Sequence, residues 1–343
     1  MQANKSSPIL TWAWACAALL FVGTAMAEPM ARDHDPALIK GPDACGKECH
    51  KDEAAVWIET KHAVSFRTLE QEKKVGEILT NMGLKGSMRR AEPCQGCHYT
   101  LQMVNGHPQA TAGVSCEACH RPSKDWIDVH GDYGGKDVKR DQETPDHKQQ
   151  RLARSAAAGM VRPVDLYPLV RTCFDCHLGV EEKLVNTGGH VPGSLIELVS
   201  WTQGKVGEEG KPIRHNLHQS KENRYSPPAR RRIMYVLGLS LELEYTLRAI
   251  GRATQDGLFI QKMAKQAKQA AQRLKQVNEK VAIPEVAAII AEAGKVKLKL
   301  NNGSELNPIA DVIAAQGRQF AARADGDKLA AMDAVIPWYP EKP

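Results

Sequence analysis

Apolar residues recur at helical intervals through most of this chain, while strand-like alternation is scarce. From Asp52 onward, Ile58, His62, Phe66 and Leu69 follow one another at intervals of four, four and three. That spacing predicts an amphipathic helix with His62 on its apolar face. Residues 131–162 are polar, without sustained apolar periodicity until Arg151, and read as a surface excursion. Residues 204–228 form a second loop, rich in Gly, Pro, Asn and Ser, and a domain boundary is expected near its end.

Beyond that boundary the helical signal is stronger. Ser226-Pro227-Pro228 reads as a helix start, with a capping Ser and proline in the first turn. Val236, Leu239, Leu243, Leu247 and Ile250 make one stripe, and Met234, Leu237, Leu241 and Tyr245 a second. A helix with both stripes is buried around most of its circumference and should be the packing centre of the C-terminal part. A further helix over 253–281 sets Ile260, Ala264, Ala267, Ala271, Leu274 and Val281 on one side and Lys262, Lys265, Lys268, Arg273 and Lys275 on the other. Pro284 and Gly294 bracket a shorter helix, and residues 307–323 form another. The expected fold class is mainly α with little strand, closing on a helical bundle over 228–343.

The chemistry lies in the first part. Cys94-Gln-Gly-Cys97-His98, Cys116-Glu-Ala-Cys119-His120 and Cys173-Phe-Asp-Cys176-His177 are three copies of Cys-x-x-Cys-His, the pattern of covalent c-type haem attachment. Two thiols one turn apart bond the two vinyl groups of a porphyrin, and the adjoining imidazole falls on the iron. Cys45-Gly-Lys-Glu-Cys49-His50 is a fourth copy with one extra residue, and Gly46 is expected to give the loop the freedom to bulge. Structural zinc would want the cysteines in paired sets, and a dithiol redox site needs no adjoining His.

Residues 1–27 read as a secretory signal: Lys5 as charged n-region, an apolar run from Ile9 to Val22, and Ala25-Met26-Ala27 as cleavage site. Of nine cysteines, Cys16 would leave with the signal and the other eight are taken by four haem sites. The expected organisation is therefore signal peptide 1–27, tetrahaem domain 28–227 and helical domain 228–343, exported to the periplasm. No stretch of the mature chain is apolar enough to span a membrane. No nucleic-acid motif is present, and the partners expected are redox proteins. The net charge of +6 falls to +5 without Lys5, and haem propionates would change it again, so it identifies no partner.

Four irons need further axial ligands. Eight histidines lie outside the motifs: His34, His62, His107, His130, His147, His190, His215 and His218. A lone His on an apolar face is ordinarily a hydrogen-bonded core residue, but a chain with four irons reverses that preference for His62. His130 follows Trp126 by one helical turn, and His190 follows Gly188-Gly189, where backbone could approach a porphyrin closely. His215 or His218 is a further candidate, with His215 preferred; His34, His107 and His147 sit in polar surroundings. Arg230-Arg231-Arg232 opens the long helix where its dipole disfavours cations, and pairing with haem propionates would supply the anions.

These residues resemble the tetrahaem cytochrome c-554 group and its multihaem relatives. The resemblance rests on Cys49-His50 with Trp57 and Lys61-His62-Ala63, on the run from Gly113 to His120, and on Cys176-His177 with Gly189-His190 and Glu197-Leu198. It covers roughly residues 40–205. It implies a mostly helical domain of closely packed, largely bis-His haems that shuttles electrons, with His62, His130 and His190 at distal positions. The alternative is an oxidoreductase with one open haem acting on a small nitrogen or sulfur compound. That would need an open iron and a proton donor.

Overall fold

The computed structural model describes residues 34–194, 196–203 and 225–337. The chain is mainly α-helical, with one two-stranded sheet. Short helices and turns carry the first three Cys/His motifs, and long helices fill the C-terminal part.

The helix expected from Asp52 is two helices, Lys51–Ile58 and Lys61–Thr68. Thr60 separates them: it is buried, its hydroxyl accepts from the amide of Ala63 at 3.3 Å, and its own amide returns to Trp57 O at 2.9 Å. A threonine so placed caps a new helix rather than continuing the old one. His62 therefore sits in a first turn, and Ile58, half exposed, belongs to no common stripe with it.

Strands Thr100–Val104 and His107–Ala112 form a hairpin between the second and third motifs. Its turn is Asn105-Gly106, both at positive φ, the pairing that a tight two-residue hairpin demands. The polar stretch 131–162 holds a helix, Pro145–Ala157, capped by the Thr144 hydroxyl on the amide of His147 and burying Arg151 and Ser155.

Helix Pro228–Arg252 is buried along nearly its whole length, as its two stripes require. Its N-cap is Pro227 rather than Ser226, whose amide is held instead by Gln203 Oε1 at 2.7 Å. Helices Leu258–Lys280, Pro284–Ala293 and Gly303–Arg323 and a 3-10 segment, Gly326–Val335, complete the bundle. Helix Leu258–Lys280 starts later than its periodicity suggests because Glu182 collects the amides of Thr254 and Gln255 and the Thr254 hydroxyl, holding residues 254–255 as a loop.

The larger apolar core runs across residue 228. Tyr167, Val170, Phe174 and Leu178, on or just past the helix Leu166–His177 that bears the fourth motif, pack in one cluster with Leu237, Leu241, Phe259 and Met263. A second, smaller cluster of Val75, Met88, Ala91, Cys94 and Tyr99 surrounds the second motif. The arginines opening the long helix have protein partners. Arg232 is bidentate to Asp333 at 2.7 Å on both oxygens and reaches Gly326 O, while Arg230 donates to Pro163 O at 2.6 Å. Arg231 is fully buried. For Arg232, the anion is thus a carboxylate of the bundle itself.

Candidate functional site: four Cys/His motifs and the imidazoles that face them

In the regular motifs a short helix sets the two cysteines one turn apart on one face: Glu92–His98, Cys116–His120 and the end of Leu166–His177. In the first motif the extra residue is absorbed by a wide turn, in which the His50 amide bonds Cys45 O five residues back at 2.9 Å. Gly46 lies within helix Pro42–Gly46 without positive φ. A Cβ there would meet that of Ala54 at 2.7 Å, so the glycine serves close packing rather than backbone freedom.

Six of the histidines fall into three pairs. His50 faces His130 with ring centres 6.0 Å apart, His98 faces His190 at 6.2 Å, and His62 faces His177 at 6.3 Å. Two imidazoles on opposite sides of one metal ion, each with a nitrogen about 2 Å from it, hold their ring centres roughly 6 Å apart. Each pair joins one motif histidine to one from outside the motifs. The pairing order is not the chain order: His130, after the third motif, faces the first; His62, after the first, faces the fourth.

Hydrogen bonds fix the rings with the lone pair on Nε2. Nδ1 of His120 bonds Val161 O at 2.8 Å, that of His130 bonds Ile127 O at 2.8 Å, that of His190 bonds Val191 O at 2.8 Å, and that of His177 bonds Ser194 Oγ at 3.1 Å. Such outer bonds orient metal-ligating histidines. Burial pushes His98 and His177 down to about 4, helped for His98 by His190 and His62 and for His177 by His62 and His98. Burial likewise lowers His62, His120 and His130. All five are held in the neutral form that binds iron.

Between His98 and His190 lies an apolar cleft of about 250 Å³, walled by Leu69, Val75, Ile78, Met88 and Leu184 with Cys94 at its side. That lining suits a flat apolar group. Gly189, at φ +79°, closes the helix Glu182–Asn186 with a turn in which the His190 amide bonds Leu184 O. A Cβ on Gly188 would strike that same carbonyl at 2.5 Å. The two glycines are there for a tight helix end that swings His190 into the cleft. Near the His50–His130 pair, Trp126 is buried edge-on to His130, and its indole N–H has no hydrogen-bond partner among the described residues. A carboxylate of a porphyrin would satisfy it. The residues present therefore fit haem.

The sites adjoin in a row. Cys45 lies beside Cys116, Cys119 beside Cys173, and Cys176 beside Cys97. Adjacency thus runs from the first motif to the third, the fourth and the second, whereas short sequence separation points to the second and third.

Two supports escape a reading of the sequence. Glu117, inside the third motif, is buried, and its carboxylate accepts from the amides of Lys40, Gly41 and Ser123 and from the Ser123 hydroxyl. Arg151 is bidentate to Glu143 and donates to His130 O at 2.8 Å, while Nδ1 of His147 bonds the same Glu143 oxygen. His147 and Arg151, read as surface residues, thus belong to a bracket behind His130. The Arg151 bond, then that of His147, lowers Glu143 to about 2. A depressed carboxylate contributes fully above its unfolded pKa near 4.5 and loses that contribution as pH falls toward 2. Stability should therefore begin to fall below about pH 4.5 while the spectrum of the His50–His130 site holds until Glu143 takes up its proton near pH 2, whereas Arg151→Met should give the spectral change at pH 7. Visible and electron paramagnetic resonance titrations check both.

The remaining histidines lie apart from the pairs. His34 contacts Arg121 and is lowered to about 4 by burial and that charge; His107 is exposed at the hairpin turn. His215 and His218 lie outside the described residues.

Residues 44–121, which include the first three motifs, match the family described as cytochrome c554 and c-prime. The match is confined to this segment. The chain is also 27% identical over 175 residues to cytochrome c-554 of Nitrosomonas europaea, a match covering 48% of this chain and 66% of that relative. No solved structure matches. The family named in that match and the relative are c-type cytochromes, proteins that hold haem c covalently. Among the described residues, no helix is long and apolar enough to cross a membrane.

Proposed function

We propose that this chain is an exported tetrahaem cytochrome that carries electrons between redox proteins in the periplasm. The observation that carries the reading is the set of three facing imidazole pairs at 6.0–6.3 Å, each beside a cysteine motif. Cys45 and Cys49, Cys94 and Cys97, Cys116 and Cys119, and Cys173 and Cys176 would each hold one haem c. His50, His98, His120 and His177 would be the ligands from the motifs, and His130, His190 and His62 the ligands opposite His50, His98 and His177. Haem c, when bound, supplies an iron that gains and loses one electron. Two imidazoles on one iron close both axial positions, which suits electron carriage rather than binding of a substrate. The nearness of Cys45 to Cys116, of Cys119 to Cys173 and of Cys176 to Cys97 supports a relay through all four motifs. Residues 1–27 would direct export, and residues 28–227 and 228–343 would be the haem-bearing and helical parts.

The test is the mass and pyridine haemochrome of protein matured in a periplasm. The expected result is cleavage after Ala27 and four haems per chain. Fewer haems, or a chain retaining its first 27 residues, would count against the proposal.

A further inference from the structure

The helical part carries a charge asymmetry that the haem chemistry does not use. Residues 228–343 contain 18 Lys and Arg against 12 Asp and Glu, whereas residues 1–227 contain 28 of each, so the whole formal excess of +6 lies in the helical part. Helix Leu258–Lys280 concentrates it. Lys262, Lys265, Lys268 and Lys275 are all exposed, and their spacing of three, three and seven puts them along one side. Three exposed lysines elsewhere on the bundle have carboxylates in reach: Lys295 has Glu292, Lys299 has Glu305, and Lys328 has Asp325.

The other side of the same helix is seated on the ligand-bearing segment. Gln266 donates to Ser194 O at 3.5 Å, and Phe259 takes Asn186 as partner for its amide. A Cβ on Gly193 would lie 3.2 Å from Met263. Ser194 holds the His177 ring, and Asn186 and Gly193 flank His190 in sequence. The lysine row is thus one helix diameter, about 10 Å, from the segment that positions two of the four sites.

We propose that this lysine row is the docking surface for an acidic redox protein, and that steering such a partner is a function of the C-terminal helices. Glu279, at the end of the helix, is the one carboxylate on its surface, and four lysines against one carboxylate still focus the field and raise encounter rates with an oppositely charged partner by about 10–10³-fold. The inference rests on the electron-carrier reading above, and the experiment separates the two.

The full-length haem-loaded protein is reduced by an acidic plant-type ferredoxin and, separately, by a small neutral reductant. Two variants reverse four charges each: K262E/K265E/K268E/K275E on the row, and K124E/K136E/K139E/K148E on exposed lysines of the haem-bearing part. The expected result is a loss of at least about tenfold in the ferredoxin rate at low salt for the row variant only. Raising the salt should erase the difference, and the neutral reductant should react alike with all three proteins. Four Lys→Gln replacements on the row should give an intermediate loss. Equal losses in both charge-reversed variants would show a net-charge effect and overturn the proposal. So would a row variant unchanged with ferredoxin but no longer binding vesicles of anionic lipid, which would make the row a membrane contact. Failure of the neutral reductant to reduce the unmodified protein would instead refute the carrier reading.

Discussion

Replacing His190 by Ala should convert one iron from low to high spin and leave the others unchanged. His190 stands across the apolar cleft from His98 at 6.2 Å, and its ring is held by Val191 O, so truncation removes a ligand without touching a cysteine. It lies beyond the helix end closed by Gly189 and is part-buried, so the backbone turn that carries it survives. Low-temperature electron paramagnetic resonance of the oxidised protein reads the outcome. An unchanged low-spin signal would mean that His190 ligates nothing. Returning a thioether with His190→Met should restore a low-spin iron at higher potential, since methionine ligation favours the reduced state.

The second large effect is expected at Glu117. Its two oxygens accept four hydrogen bonds, from Lys40 N at 3.0 Å, Gly41 N at 2.7 Å, Ser123 N at 2.8 Å and Ser123 Oγ at 2.5 Å. Glu117→Gln puts an amide NH₂ where only acceptors fit, so at least one buried donor pair is left facing another donor. Leaving such groups unpaired costs about 3 kcal/mol or more. Glu117 also ties the segment before Cys45 to the turn after His120, so the first and third sites should shift in potential together while the second and fourth stay fixed. Thermal unfolding and a redox titration check the two parts. A full-stability Gln variant would show that the carboxylate is not needed as an acceptor.

Glu117 also illustrates what a reading of the sequence misses. It sits at an unconstrained position of Cys-x-x-Cys-His, and its partners lie 6, 76 and 77 residues away. No local pattern announces such a clamp. Arg151 and His147 were hidden for the same reason, since polar residues on a polar stretch read as solvated until a fold encloses them. The hairpin is different: Asn105-Gly106 was a legible turn signal, outweighed by the scarcity of alternation around it. Ser226 shows the limit of capping rules: the helix begins one residue later, at a Pro227 cap, and the Ser226 amide is held by Gln203.

What the sequence determined by itself is what short spacing controls. The attachment motifs with their adjoining histidines, and the helices of the C-terminal part, follow from residues three to seven apart, a distance that backbone geometry alone converts into a shared face. Only the tertiary structure decided which imidazole faces which. His62 lies beside the first motif in sequence yet faces the fourth, and His130 turns back to the first. It also decided that the fourth motif's helix shares its core with the C-terminal bundle. These are contacts between segments far apart in the chain, chosen by the burial of apolar surface, which is non-directional and leaves no periodic mark in the sequence.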